Sequence, residues 1–188
     1  MKKKLIILIA LVFAFAFTLS ACGDDEAYFE EDESHYAVED IEPGTEFGGF
    51  AAMDLNGNEI SDAIFADKDL TVVNVWGTYC DPCKAEMPDL AEWNRQLPDN
   101  VQIIGMVVDV PEADRDMINV ARKICKKTGV TYANILTNDS VEKVLSDVEA
   151  IPTTFFLDSE GKSVCTPVVG NDVEAYKKNV EEYLDKLD

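Results

Sequence analysis

The sequence predicts an α/β domain whose mixed central sheet is flanked by helices. Three observations predict it. Two strand-like runs, LTVVNVW at 70–76 and VQIIGMVVDV at 101–110, are almost continuously apolar, as strands covered on both faces would be. Each is followed by a segment of helical period. The chain then closes with strand, turn, strand and helix, the pattern of an antiparallel edge added to a parallel core.

Ahead of the domain, Met1–Cys22 reads MKKKLIILIALVFAFAFTLSAC, with three lysines, an unbroken apolar stretch from Leu5 to Phe17, then small residues. This is a secretory signal layout, placed at residues 1–21. The apolar stretch is shorter than the roughly 20 residues a membrane span needs. Leu19-Ser20-Ala21-Cys22 resembles the bacterial lipobox. That resemblance implies that Cys22 is lipidated and tethers the mature protein to the outer face of the cell membrane. Stable anchoring takes more than one acyl chain. Residues 22–44 read as an acidic flexible spacer, since Asp24–Glu42 holds ten acidic residues, no lysine or arginine, and the chain's single histidine, His35. Such a stretch buries too little apolar surface to offset its ordering entropy. The whole chain carries a formal charge of −21. Phosphates would repel it, which excludes a nucleic-acid partner, and it offers no polybasic contact for a lipid surface.

Residues 45–188 suit one domain with one substantial core. MDLNGNEIS at 53–61 predicts a hairpin about its Asn-Gly. Strand 70–76 comes next. Met87, Leu90, Trp93 and Leu97 recur at helical spacing, predicting a helix from about Cys80 to Leu97 that Pro88 interrupts and kinks. After strand 101–110, a helix over 113–129 is stopped by Gly129. A short apolar run at Tyr132–Leu136 and a brief helix near Ser140–Val148 lead to strand TTFFLD at 153–158. A Ser-Glu-Gly turn at 159–161 opens a strand SVCTPVVG, and an acidic amphipathic helix runs from about Asp172.

The chemistry centres on WGTYCDPC, residues 76–83. A Cys-x-x-Cys between a buried strand and a helix puts Cys80 where unpaired amides and the helix dipole favour an anion. Thiolate is the nucleophilic form, so this position primes Cys80 for attack. Cys83, one turn inward, becomes the resolving thiol. A zinc site needs about four ligands; with no second Cys-x-x-Cys and the sole histidine in the spacer, no metal is expected. A purely structural disulfide gains little by closing so small a loop.

VVNVWGTYCDPCKAEMPDL resembles the active-site segment of the thioredoxin-like superfamily, in particular its extracytoplasmic TlpA/ResA branch of thiol-disulfide oxidoreductases. The likeness spans roughly residues 45–187 and includes the DLNGNEIS hairpin and Ile151-Pro152-Thr153-Thr154-Phe155-Phe156. It implies a thioredoxin-like fold with an N-terminal β-hairpin and a central insertion of the TlpA type. It implies a redox-active Cys80–Cys83 disulfide and no other cofactor. It implies a cis Pro152 facing the disulfide, with Ile151 offering backbone hydrogen bonds to an extended substrate segment; from the residues alone, Ile-Pro equally fits an ordinary strand start. Asn74 stands where cytoplasmic thioredoxins carry a buried aspartate. Glu86 matches a buried glutamate of the ResA type, able to exchange the resolving thiol's proton. By position alone it would be a solvated helix glutamate. Tyr79 replaces a tryptophan common before the first cysteine and keeps an aromatic rim. Trp76 is expected to be part core and part active-site wall, and Pro82 and Ile151 resemble reducing members. The implied partners are an exported disulfide-containing protein, apocytochrome c among the candidates, and a membrane electron donor of the thiol-relay type.

Two cysteines remain. Cys125 and Cys165 form a candidate second disulfide, which would protect them in an oxidising compartment. They read equally as two separately buried small apolar residues. Three further functions compete with disulfide reduction: a disulfide-donating oxidase of the same fold, a peroxiredoxin-like peroxidase, and a non-enzymatic binding lipoprotein stapled by its cysteines. The peroxiredoxin pattern Pro-x-x-x-Thr-x-x-Cys is absent, because Thr78 lies two residues before Cys80 and Asn74 stands at the proline's place.

Overall fold

The computed structural model describes residues 41–187; the signal segment, Cys22 and the spacer up to residue 40 lie outside them. The elements run β1 (Ala51–Met53), β2 (Glu59–Ser61), a 3-10 turn (Asp62–Asp67), β3 (Leu70–Trp76), α1 (Asp81–Asn94), β4 (Val101–Pro111), α2 (Arg115–Thr128), β5 (Asn134–Thr137), α3 (Asp139–Val144), β6 (Thr153–Asp158), β7 (Val168–Val169) and α4 (Val173–Leu184). β1 and β2 form a separate hairpin, and the main sheet has the order β5-β4-β3-β6-β7. β3 pairs parallel with β4 and antiparallel with β6, so the strand leading into the Cys-x-x-Cys lies at the centre of a mixed sheet.

All seven residues of β3 are buried. Period two assigns them to opposite faces. Val73 and Val75 enter a cluster with Phe47, Phe65, Phe155, Val141 and Leu145, under α3 and the 3-10 turn. Leu70 and Val72 pack with Leu90, Phe156, Tyr176 and Val180, beneath α1 and α4. Trp76 joins Cys80, Cys83, Met87 and Ala121 beneath α1 and α2. Asn74 shares the face of Val72 and Trp76. A polar side chain is thereby aimed at α1 from the middle of the sheet.

Several local expectations change. The ordered domain takes in residues before 45: Ile41 packs against the first cluster, and the Gly44 N–H donates to the Ser163 carbonyl at 2.7 Å. The hairpin forms about Asn56-Gly57 as expected, through a connection 54–58 organised by Asp54, whose carboxylate accepts from the N–H groups of Asn56 and Asn58 at 2.8 Å each. Pro88 lies inside α1 without ending it. The helix loses one backbone bond there, but Met87, Leu90, Ala91 and Trp93 bury its inner face on both sides of the proline. α1 stops at Asn94, short of Leu97. The expected strand 163–170 reduces to Val168–Val169, with Ser163 making a single bridge to Leu157. Pro167 between them lacks the N–H that a continuous ladder requires. Gly129 ends α2 in the left-handed conformation, φ 79°, as a C-cap does.

Candidate active site

Cys80 is the N-cap of α1, and its Sγ accepts from the Cys83 N–H at 3.1 Å. Cys80 and Cys83 are joined as a disulfide. The two sulfurs are not equivalent. Cys80 keeps 6% of its surface exposed and Cys83 none, so a partner reaches only the first. The Ile151–Pro152 peptide is cis, and the Ile151 carbonyl oxygen lies 3.6 Å from Cys80 Sγ. Tyr79, at 69% exposure, stands beside them. A groove of about 230 Å³ continues from Tyr79 and Ile151 along Val108, Leu145 and Val148, with Glu142 and Glu149 also in its lining. Pro82 is exposed in the first turn of α1.

Trp76 does not form a wall facing a partner, because it is fully buried. Its indole N–H donates to Asn134 Oδ1 at 2.8 Å, and Asn134 donates to the Tyr132 carbonyl at 3.0 Å. This bond passes over Gly105, where an added Cβ would lie 2.0 Å from Asn134 Oδ1. Only glycine leaves room for it. The loop before Cys80 is held by Asp109 at the end of β4, which accepts from the Thr78 N–H at 2.9 Å and from the Thr78 hydroxyl.

Glu86 is 3% exposed, so it is not a solvated helix glutamate. It sits on α1 one turn after Cys83, on the same side of the helix. Asn74 Nδ2 donates to its Oε1 at 2.8 Å and to Thr154 Oγ1 at 3.1 Å, while the Tyr176 hydroxyl lies 3.0 Å from Oε2. Burial pushes the Glu86 carboxyl up to about 7, against the pull of the hydrogen bonds from Asn74 and Tyr176. A carboxyl of that pKa exchanges protons near neutral pH, as a general acid or base must.

Cys125 and Cys165 are both free thiols, so the candidate second disulfide is not formed. They belong to different clusters: Cys125 packs with Met87 and Ala121, Cys165 against the Tyr176 group. Burial pushes the Cys125 thiol up to about 11, which keeps it protonated and unreactive. Asp109, Asn134, Thr154 and Tyr176 carry no sequence signal comparable to the Cys-x-x-Cys. Each reaches the site from a distant segment.

An accessible cysteine at a helix N-terminus, a buried partner sulfur and a cis-proline loop against them, all on a central mixed sheet, define a thioredoxin-like thiol-disulfide oxidoreductase. The chain belongs to the AhpC/TSA family, whose model matches residues 43–164. It is 32% identical over 185 residues to the thiol-disulfide oxidoreductase ResA of Bacillus thuringiensis subsp. konkukian, covering 98% of this chain and 94% of that one. It is 31% identical over 159 residues to ResA of Bacillus subtilis, covering 84% of this chain and 79% of the relative. Among solved structures, a DsbF homologue from Corynebacterium diphtheriae superposes with a TM-score of 0.60 at 26% identity, over 74% of this chain and 85% of its own.

Proposed function

We propose that this thiol-disulfide oxidoreductase works outside the cytoplasm, tethered to the membrane through lipid on Cys22, and reduces disulfides of exported proteins. The observation that carries the exchange chemistry is the asymmetry of the disulfide: Cys80 keeps an exposed edge beside the Ile151 carbonyl, and Cys83, one helical turn before Glu86, is fully buried. In the reduced enzyme, the Cys80 thiolate attacks one sulfur of the partner's disulfide, and the partner's other sulfur leaves as a thiolate. Cys83 then gives its proton to Glu86 and attacks Cys80 Sγ, releasing the partner's second thiolate. The partner gains two electrons and the enzyme closes its own disulfide.

The signal layout and lipobox-like Cys22 support the location, and the likeness to the ResA relatives supports the reducing direction. Apocytochrome c is one partner that this likeness suggests, with a membrane thiol relay as electron donor. The test is the reduction potential of the Cys80–Cys83 couple in the full chain, equilibrated against defined thiol buffers. A value near thioredoxin, about −270 mV, agrees with a reductase fed with electrons; one near −120 mV reverses the direction and makes the protein a disulfide donor.

A further inference from the structure

The Tyr176 hydroxyl lies between two acceptors: Glu86 Oε2 at 3.0 Å and the Gly170 carbonyl at 2.5 Å. A phenol has one proton to donate. When Glu86 is neutral, its own O–H can donate to the Tyr176 oxygen while the phenol donates to Gly170. When Glu86 is ionised, the phenol proton is drawn to the carboxylate, and the Gly170 carbonyl loses it. Gly170 in turn donates its N–H to the Pro152 carbonyl at 2.8 Å, next to the cis peptide that faces Cys80. We propose that Tyr176 is a positioning residue whose single hydroxyl proton is shared between Glu86 and Gly170, passing the ionisation state of the buried carboxyl to the Pro152 loop.

Glu86 is among the residues lining a cleft of about 450 Å³ between α1 and the start of α4. Tyr79 and Ile151 line the separate groove described above. The cleft and the groove beside Cys80 share no lining residue. The ionisable groups of the cleft, besides Glu86, are Asp89 and Glu92 from α1, Asp172 at the N-cap of α4, and Glu174 and Lys177 from α4, Lys177 being paired with Glu174 at 2.7 Å. Around the carboxyl itself stand Asn74 from β3, Tyr176 from α4, and Tyr132, whose burial, followed by the nearby Cys125 and Glu86, holds it as a neutral phenol, while Cys83 lies one turn earlier on α1. Of the two phenols, Tyr176 is the one bonded to Glu86.

The inference rests on the thiol-exchange reading for its use, but its test does not. In the oxidised full-length chain in detergent, the Glu86 carboxyl carbon is followed by NMR against pH, its signal assigned by its loss in Glu86→Gln. Tyr176→Phe keeps the ring beside Phe156 (centroids 6.3 Å apart) and deletes only the hydroxyl. It should raise the Glu86 midpoint, with roughly a tenfold fall in its ionisation constant, because the ionised form loses a charge-assisted donor. Placing 3-fluorotyrosine at position 176 makes the phenol a stronger donor and should lower the midpoint. The amide of Asn171, in the peptide whose carbonyl accepts from Tyr176, should titrate with the Glu86 midpoint in the parent protein and stay flat in Tyr176→Phe. If the midpoint stays put or moves the wrong way in either variant, or if Asn171 is flat in the parent, the proposal is overturned. A midpoint that behaves as described while the exchange rate ignores it would instead sink the role of Glu86 in exchange.

Discussion

The two halves of the Cys80–Cys83 disulfide face different worlds. The outer half brings Cys80, Tyr79 and the Ile151 carbonyl together toward the surface. The inner half holds Cys83 and Glu86 buried, where Asn74, Thr154 and Tyr176 converge from three separate elements. In the proposed mechanism this difference divides the labour: the exposed side attacks, while the buried side exchanges the proton. A single carboxyl in water would titrate near 4.5; burial brings this one to about 7.

The largest effect belongs to the outer sulfur. Cys80→Ser should reduce disulfide exchange by at least about a thousandfold, since an alkoxide precursor replaces a thiolate. Cys83→Ser should instead leave attack intact and accumulate a mixed disulfide, seen as a covalent adduct in nonreducing mass spectrometry. Equal, adduct-free loss in both would break the division between the halves.

Glu86→Gln sharpens the inner half through stability. The folded carboxyl has a raised pKa, so between pH 4.5 and 7 the folded state binds more protons than the unfolded one. The parent protein should be most stable below about pH 4.5 with respect to this group, and lose stability as pH rises through 7. Glu86→Gln abolishes that loss, and Asn74 can turn its otherwise unpartnered Oδ1 to accept from the new amide. Between pH 4.5 and 8 its stability relative to the parent should improve by up to about 3 kcal/mol, measured by denaturant unfolding at each pH. Parallel pH curves for the two proteins would mean that Glu86 titrates as an exposed carboxyl.

The smallest effect is expected at the rim. Tyr79→Ala should leave unfolding within about 0.5 kcal/mol of the parent, because the ring is largely exposed. KM for a protein disulfide should rise a few-fold with kcat little changed, as loss of a binding contact does. A large stability loss would move Tyr79 from the outer half to the inner one.

Much of the outer half was legible in the chain. The strand, the two cysteines and the helix that begins on Cys80 are contiguous, and local spacing dictates their geometry. The inner half was not. Glu86 carries no mark of burial, because its environment is made by Tyr176, ninety positions away, and by Asn74 on a strand whose facing depends on sheet register. Trp76 read as a partly open wall, and only the Asn134 acceptor and the space over Gly105 account for its full burial. Cys125 and Cys165 illustrate the same limit, since no spacing rule says that they enter different clusters.

By itself the sequence determined the alternation of strands and helices, the redox pair and its place at a helix start. These depend on hydrophobic period, glycine and proline placement, and the short reach of two residues within one helical turn. Tertiary structure alone decided which sulfur is accessible and how far the Glu86 carboxyl is shifted. Those properties come from exclusion of water and from hydrogen bonds between segments far apart in the chain, and both exist only once the sheet has closed over α1 and α4.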